Sequence, residues 1–311
     1  MFKVLIDFAR PFTLIVPALG VCAGAFAGLH SSALIQSESG AGLPFFAVML
    51  LGAFAAAMLN AGSNAINQVC DRRIDAVSKP ERPIPSGRVS VRQGVVIALV
   101  FYLIAIGALM LAGMWANLPV LIIFGTALIA TLAYSVPPIR TRNHALTSSI
   151  TISIPRGFLL LVAGYALVAN PFELIEPWVL GATPGLYLLG AAATKDFADM
   201  EGDGADGVRS LPIVFGVEKA IKLIAPFLVA PFALLALAMG LQASGVIELI
   251  SGNPLVLCIA GVLLAAWGFS VMRMLLRDPH ALSTTENHPA WKQMYLMMML
   301  YYVSVIAAYA A

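Results

Sequence analysis

Long apolar runs are the feature that most constrains the fold of this chain. Residues 95–114, VVIALVFYLIAIGALMLAGM, are twenty consecutive residues without a charged side chain. A hydrocarbon core of about 30 Å needs about 20 apolar residues per helix, so this run predicts a membrane-spanning helix. It lacks the ten-residue alternation of membrane β-barrel strands. The chain is 60% hydrophobic and 11% charged, with a mean hydropathy of +0.91, which excludes an ordinary soluble domain.

Apolar segments bounded by charge, proline or glycine predict nine transmembrane helices. We expect an all-α, polytopic membrane protein in which residues 1–311 form a single transmembrane domain. The helices should form a bundle around a central cavity, and the sixth segment ends directly at the charge of Lys195. The predicted spans are 11–29, 44–66, 94–114, 117–135, 146–168, 178–195, 219–241, 254–275 and 291–310.

Basic residues lie on one side of the predicted bundle. With nine spans, seventeen of the eighteen lysines and arginines fall on one side, before the first span, in alternate loops or at the span ends beside those loops. The other loops, near Glu38, Trp115, Glu173 and Glu248, contain none. The positive-inside rule makes the basic side cytoplasmic. We therefore predict a multi-pass protein of the cell (cytoplasmic) membrane with a cytoplasmic amino terminus and cytoplasmic charged loops. Topology accounts for the bases, so no nucleic-acid binding is indicated.

The stretch NQVCDRRIDAVSKPERPIPSG lies where the second span leaves the membrane. Its first polar residues, Asn67, Asp71 and Asp75, are spaced i, i+4, i+8 and would share one face of a helix. Asn60 and Asn64 extend this polar stripe into the span. A single carboxylate here would be an ordinary solvated helix end. Amides at membrane depth are costly and usually face a cavity, so the stripe favours a functional site.

A second acidic stretch, TKDFADMEGDGADGVRSLPIVFG, emerges from the sixth span on the same side. Asp196, Asp199 and Asp203 are spaced i, i+3, i+7, again on one helical face. Asp71 and Asp75 shifted by 128 positions coincide with Asp199 and Asp203, and PIPSG shifted by 129 coincides with PIVFG. We interpret this similarity as an internal duplication in which each half contributes one acidic helix end and one basic loop.

Two acidic stripes at one aqueous boundary predict a site for divalent cations. Mg²⁺ prefers oxygen ligands, typically one or two carboxylates together with waters and substrate phosphates. Without cations, the neighbouring aspartates would repel one another and some would become protonated. Two Mg²⁺ ions bridged by a diphosphate resolve this conflict, and nearby bases would neutralise the remaining diphosphate oxygens. For any single base, a positive-inside anchor is the simpler interpretation. These bases are Lys79, Arg82, Arg140, Arg142 and Arg209.

Together these motifs resemble those of a known family. NQVCDRRID followed by RPIPSG, DMEGD followed by GVRSLPIVFG, YSVPPIR after the fourth span, and the nine-helix layout resemble the UbiA superfamily of intramembrane prenyltransferases. The resemblance covers essentially the whole chain. The motif sequences most resemble those of the branch that includes chlorophyll synthases and archaeal digeranylgeranylglyceryl phosphate synthases. Lys195 in TKDFADMEGD is also similar to homogentisate prenyltransferases.

The resemblance implies a reaction and a set of site residues. The reaction is Mg²⁺-dependent transfer of a polyprenyl group from an isoprenyl diphosphate, geranylgeranyl-like, to a lipophilic acceptor in the membrane, with release of diphosphate. An aromatic ring, a tetrapyrrole and a glycerol-phosphate lipid all remain open as acceptors. The implied catalytic and metal-binding residues are Asn67, Asp71, Asp75, Asp199 and Asp203, with Asp196 as an additional metal ligand. The implied diphosphate-binding residues are Lys79, Arg82, Arg140, Arg142, Arg156 and Lys195, and the cavity candidates are Asn64, Tyr134 and Ser135.

Arg156 is the one base that lies far from both ends of a predicted span. It lies about ten residues into the fifth span, where an arginine costs about 2.5–3.5 kcal/mol on insertion scales. Two interpretations remain open: it faces the cavity and an anion there, or it forms a structural ion pair with a carboxylate. Pro155 and Gly157 on either side should loosen the helix.

A secondary transporter with an acidic ion site on the cytoplasmic side is the alternative function. Transporters usually place charged side chains near the bilayer midplane, with access from both sides. The carboxylates of this chain cluster at one face, and the opposite loops carry little charge. The distribution of charge therefore favours the enzyme.

Overall fold

The computed structural model describes residues 2–35, 44–285 and 288–310, which form helices and loops with no β-strand among them. The loop near Glu38, used above for the topology, lies outside the described residues. The helices are α1 (Phe2–Ala9), α2 (Ile15–Ile35), α3 (Phe45–Cys70), α4 (Arg72–Ser78), α5 (Val91–Leu111), α6 (Leu118–Ser135), α7 (Ala145–Ser153), α8 (Leu159–Ala166), α9 (Glu176–Ala191), α10 (Lys195–Ala198), α11 (Met200–Ala205), α12 (Leu211–Phe215), α13 (Val217–Ile224), α14 (Ala230–Ala243), α15 (Pro254–Arg277), α16 (Ala281–Thr284) and α17 (Pro289–Ala310).

Within the described ranges, eight helical segments are long and apolar enough to cross a membrane. The prediction of an all-helical membrane protein is confirmed, and the count of nine spans is approximately right. The difference is the sixth predicted span, where α9 has 16 residues. A 3₁₀ turn at Ala192–Thr194 continues α9 into α10. The eight segments are Pro11–Ser32, Phe45–Cys70, Val91–Leu111, Leu118–Ser135, Ala145–Ala166, Val217–Ala243, Pro254–Arg277 and Pro289–Ala310.

The fifth span is interrupted where the sequence predicts a loosened helix. A π-helical turn at Ile154–Phe158 separates α7 from α8. Pro155 has no backbone N–H to donate, so the regular hydrogen-bond ladder is broken there. A Cβ on Gly157 would lie 2.7 Å from the carbonyl oxygen of Pro184 in α9. The absence of a side chain therefore allows the π turn to pack directly against α9.

Among the described residues, three buried apolar clusters form the core, and two of them are large. The larger cluster is formed mainly by α9, α14, α15 and α17. The second is formed mainly by α3, α6 and α8. Side chains from α2 and α8 belong to both clusters, so these two central helices join the halves of the bundle. Side chains of the larger cluster, among them Val16, Tyr187 and Met298, also line the cavity described below.

Both acidic stretches contain a helix break at an aspartate, so neither stripe lies on one uninterrupted helix. Asp71 separates α3 from α4 with φ −90° and ψ 12°. Asp199 separates α10 from α11 with φ −102° and ψ 4°. The backbone amide of the aspartate four residues later donates to each break residue, from Asp75 and from Asp203, at 2.8 Å. The shared local geometry agrees with the predicted internal duplication.

Candidate active site

A cavity of about 450 Å³ opens between the two acidic helix ends and extends into the bundle. One end is polar, with aspartates and bases from both acidic stretches. The deeper part is lined by apolar and aromatic side chains from α2, α7, α9 and α17. The predicted site residues that line it are Asn64, Asn67, Asp71, Asp75, Lys79, Arg82, Tyr134, Arg142, Arg156, Lys195 and Asp199.

The first acidic motif surrounds Asp71, which is 2% exposed. Asn67 Nδ2 donates to Asp71 Oδ2 at 2.6 Å. The other oxygen, Oδ1, accepts from Arg140 Nη2 at 3.1 Å. Asn67 also lies 3.5 Å from Ser135 Oγ, at the end of α6. The polar end of α3 is therefore tied to the loop after the fourth span.

Arg142 joins the two acidic motifs. Its Nε lies 3.0 Å from Asp71 Oδ2, and its Nη2 lies 3.1 Å from Asp203 Oδ1 and 3.9 Å from Asp199 Oδ2. The residue is 5% exposed. Burial alone would lower the pKa of Arg142, but the adjacent carboxylates, Asp71 foremost, raise it instead. One guanidinium group thus holds three carboxylates from both halves of the chain.

Two further bases pair with aspartates across the polar end of the cavity. Lys79 Nζ donates to Asp199 Oδ1, and Arg82 Nη1 donates to Asp75 Oδ1. Burial acts to raise the pKa of Asp199, but pairing with Lys79 outweighs it and lowers the pKa. For Asp75, burial dominates over Arg82 and raises the pKa. Both bases lie in the loop after α4, which fits the predicted acidic helix end followed by a basic loop.

Four predicted site residues do not line the cavity. Asp203 is 1% exposed and lies behind Arg142, while Ser135 is fully buried. Arg140 contacts Asp71 from outside and also pairs with Asp206 at 3.3 Å. Asp196 is buried outside the cavity lining, and burial raises its pKa to about 6. Arg209, which the sequence places among the bases, is exposed.

Lys195 and Tyr134 form a pair on the cavity wall. Lys195 Nζ donates to the Tyr134 hydroxyl, and it also lies 4.7 Å from the centre of the tyrosine ring. Tyr134 is 2% exposed, so its side chain is buried rather than at the protein surface. The contact joins the end of α6 to the start of α10.

Several cavity residues were not predicted from the sequence. Arg10 and Thr13 reach the cavity from the segment before α2, and Trp291, Tyr295 and Met298 line it from α17. In the sequence, Arg10 fits a positive-inside anchor equally well. The α17 residues at i, i+4 and i+7 form a helical face, but that spacing is also typical of ordinary packing.

The donor set fits Mg²⁺ in its chemistry. Carboxylate oxygens are the ligands this ion prefers, and Asp75 Oδ2 is buried without a described hydrogen-bond partner. Burial raises the pKa of Asp75 and Asp203 despite their neighbouring bases, so a cation would favour their ionised forms. As they stand, no three acidic, histidine or cysteine side chains of the described residues form a metal-binding group. The guanidinium of Arg142 separates the carboxylates instead.

Sequence comparison identifies the family. Residues 21–288 match the model of the UbiA prenyltransferase family. The chain belongs to this family. The bacteriochlorophyll synthase 33 kDa chain of Cereibacter sphaeroides is 34% identical over 253 residues, covering 75% of this chain and 72% of the relative. The digeranylgeranylglyceryl phosphate synthase of Methanothrix thermoacetophila is 31% identical over 219 residues, covering 70% and 74%. The predicted family resemblance and its branch are confirmed.

Solved structures agree on the fold of this UbiA family member. A UbiA homolog from Archaeoglobus fulgidus, solved bound to GPP and Mg²⁺, superposes with a TM-score of 0.72. The match covers 99% of this chain and 100% of the homolog at 18% sequence identity. At that identity the likeness establishes the fold, and the site must be argued from the residues of this chain.

Proposed function

We propose that this protein transfers a polyprenyl group from an isoprenyl diphosphate to a lipophilic acceptor within the membrane, with Mg²⁺ as cofactor and diphosphate as product. The observation that supports it best is the meeting of both aspartate motifs around Arg142, at the polar end of a cavity that also has apolar and aromatic walls. A geranylgeranyl-like chain and its acceptor both dissolve in lipid. Relatives named as bacteriochlorophyll and digeranylgeranylglyceryl phosphate synthases support an acceptor of this class.

The polar end of the cavity would bind the diphosphate. Asn67, Asp71, Asp75, Asp199 and Asp203 would hold Mg²⁺, directly or through water. The bound Mg²⁺ would supply a positive charge that stabilises the leaving diphosphate. The bases that line the same end, Lys79, Arg82, Arg142 and Lys195, would neutralise diphosphate oxygens as negative charge develops on them. Arg140, predicted as a further diphosphate-binding base, would instead hold Asp71 from outside the cavity.

The apolar walls of the cavity would protect the reactive prenyl group. Loss of diphosphate leaves an electron-deficient allylic carbon that water would capture, so exclusion of water favours transfer to the acceptor. Ile152, Leu188 and Met298 are among the apolar side chains that line the deeper part of the cavity. The prenyl chain gains little by moving from lipid to these walls, so the diphosphate should dominate recognition of the donor.

Activity can be tested with purified protein, radiolabelled geranylgeranyl diphosphate and a panel of acceptors: 4-hydroxybenzoate, homogentisate, chlorophyllide and geranylgeranylglyceryl phosphate. We expect a prenylated product that requires Mg²⁺ and is lost on addition of EDTA. Asp203→Asn should abolish product formation. Glu201→Gln is the matched control because Glu201 is exposed on the same helix, α11. Absence of both product and Mg²⁺-dependent binding of the labelled diphosphate would refute the proposal.

Membrane orientation and the transporter alternative follow from the same geometry. We infer that the polar cavity end faces the cytoplasm, because the loops beside it contain most of the basic residues. A transporter would need acidic residues on a path through the membrane. Here Asp71, Asp75 and Asp199 lie at one end of the cavity and are paired with bases, which favours phosphate chemistry over an ion path.

A further inference from the structure

The bases that line the cavity are held in place in two different ways. Arg156, in the π turn of the fifth span, donates to Asn64 Oδ1 at 3.0 Å and to Ser63 Oγ at 3.2 Å. None of the carboxylates that the structure describes lies within 4.0 Å of it, so the structural ion pair considered from the sequence is not found. Side chains of a membrane-spanning helix therefore fix Arg156. Arg82, in contrast, lies in the loop between α4 and α5, so its position depends on what holds that loop.

The backbone of this loop supplies few hydrogen bonds of its own. Prolines at positions 80, 83 and 85 have no N–H to donate. The backbone amide of Arg82 donates to the carbonyl oxygen of Lys79 at 3.1 Å, and that of Ser86 donates to the carbonyl oxygen of Arg82 at 3.0 Å. Such turns leave the orientation of the Arg82 side chain dependent on further contacts.

Arg88 supplies those contacts from the far end of the loop. Its Nη2 donates to the carbonyl oxygen of Glu81 at 2.6 Å, and its Nε donates to Ser86 Oγ at 3.1 Å. Ser86 Oγ donates in turn to the carbonyl oxygen of Arg82 at 2.7 Å. The carbonyl groups on both sides of the Arg82 Cα are therefore bound, one directly by Arg88 and the other through Ser86.

The third arm of the Arg88 guanidinium ties the loop to the amino-terminal helix. Arg88 Nη1 donates to Asp7 Oδ2 of α1 at 2.8 Å. Gln68 Nε2 of α3 donates to the carbonyl oxygens of Asp7 and Phe8, both at 3.3 Å, so α1 is itself fixed on the second span. The side chains of Arg88 and Asp7 are 38% and 30% exposed, and an ion pair in water contributes little to stability.

The backbone beside Arg88 is anchored by apolar packing. Phe8, Ala65, Val89 and Ala98 form the third buried cluster, which joins α1, α3, the loop and α5. Val89 directly follows Arg88 in the sequence. The fold of this region therefore depends on the apolar cluster, and the guanidinium group of Arg88 can be removed without unfolding it.

We propose that Arg88 is a positioning residue for the isoprenyl diphosphate: it holds the backbone of Arg82 so that the Arg82 guanidinium meets the diphosphate. This inference rests on the proposed prenyl transfer and adds to its donor site a residue outside the cavity lining. Arg88 is exposed, whereas Arg82 lines the cavity and donates to Asp75. A base fixed before the ligand binds loses less conformational freedom on binding, which favours affinity.

The test measures equilibrium binding of radiolabelled geranylgeranyl diphosphate, with Mg²⁺, to wild type, Arg88→Gln, Arg82→Gln and the double variant. Inorganic diphosphate as competitor reports recognition of the head group without the chain. Ser86→Ala is an independent variant, because it removes the hydroxyl between Arg88 and Arg82. Arg73→Gln is the matched control, because Arg73 is exposed on the neighbouring helix α4 and its loss removes one positive charge from the same region. Melting temperatures are measured for every variant.

We expect Arg88→Gln to weaken binding of both diphosphates by about 10-fold, the lower limit for loss of a hydrogen bond to a charged group. Ser86→Ala should cause a smaller loss in the same direction. In the Arg82→Gln background, Arg88→Gln should cause no further loss, because residues that act in one network are not additive. Arg88→Lys should restore part of the affinity, since a lysine can pair with Asp7 but lacks the fork that reaches all three acceptors. Melting temperatures and the KM for any acceptor that wild type prenylates should not change.

Four results would overturn the inference: Arg88→Gln binds geranylgeranyl diphosphate as tightly as wild type, Arg73→Gln weakens binding equally, the losses of the two single variants multiply in the double variant, or affinity decreases only together with the melting temperature. The proposed function is judged by Mg²⁺-dependent binding to wild type. Its absence would refute both ideas, whereas normal binding by wild type and by Arg88→Gln would refute only the role of Arg88.

Discussion

Gly202 sets the distance between the two helices that hold Asp75 and Asp203. Helix α11 packs against α4 at this glycine, and a Cβ there would lie 2.6 Å from the carbonyl oxygen of Ile74 and 2.5 Å from Ser78 Oγ. Ordinary contact begins at 3.4 Å, so relief at Ile74 requires a shift of about 0.8 Å, and that atom is backbone. Because Ile74 directly precedes Asp75, the shift would move the carboxylate itself.

Gly202→Ala should therefore reduce activity more than stability. A misplacement of about 1 Å at reacting groups costs on the order of 100-fold in rate, whereas overpacking typically costs about 1–3 kcal/mol. We expect the rate constant for prenyl transfer, measured in a single-turnover assay, to decrease by about 10- to 100-fold. The affinity for the apolar part of the donor should be preserved, because the cavity walls are unchanged.

Gly204→Ala is the matched control for this substitution. Gly204 lies two residues later in α11, and nothing within the described structure would be within 4 Å of its Cβ. Alanine there should leave activity unchanged and slightly stabilise the helix. If Gly202→Ala is folded and as active as the Gly204→Ala variant, close packing of α4 on α11 does not determine the position of the carboxylates.

Three further predictions concern other charged groups. Arg142→Lys should lower kcat/KM by about 100-fold, since a lysine cannot bridge three carboxylates as the guanidinium does; near-normal steady-state kinetics would contradict this. Glu176→Gln, at the far end of α9, should lower the free energy of unfolding by about 1–3 kcal/mol without changing either KM, because Glu176 accepts hydrogen bonds from Ser31, Ser251 and Tyr309. Burial raises the pKa of Asp196 to about 6, above the value of about 3.9 in an unfolded chain, so the free energy of unfolding should decrease as pH rises from about 4 to 6. Asp196→Asn should therefore raise the melting temperature at pH 7.5 more than at pH 4. Equal changes at both pH values would refute this.

The membrane architecture was predictable because it depends on the hydropathy and charge of each residue, which can be read directly from the sequence. Hydropathy and the distribution of bases indicate the spans, and eight of the nine predicted segments meet the criteria for a span. The sixth is shorter because helix α9 ends at Ala191 and tightens into a 3₁₀ turn before Lys195. Such a turn changes the hydrogen-bond pattern without changing composition, so sequence hydropathy does not detect it.

The acidic half of the site was predictable, but its pairing with bases was not. The spacing of Asp71, Asp75, Asp199 and Asp203 indicates a shared boundary without any knowledge of the fold. Arg142 lies in a loop, where a base at a membrane surface is equally typical of topology. Its contacts with both motifs depend on the conformation of that loop at the cavity. The spacing of residues in the sequence does not predict this conformation.

The amide stripe of α3 shows why a polar pattern can predict a site and still have a different role. Asn60 and Asn64 line the cavity as expected, but their Nδ2 groups donate to the carbonyl oxygens of Thr13 and Ala9, and Gln68 donates to that of Phe8. The last carbonyls of a helix such as α1 have no partner within it, and the membrane supplies no water to replace one. The stripe therefore supplies hydrogen-bond donors to the backbone carbonyl groups of the segment that connects α1 to the first span. The same bonds hold this segment, and with it Arg10, against the cavity, so the amides that satisfy the backbone of this connection also help to form the cavity wall.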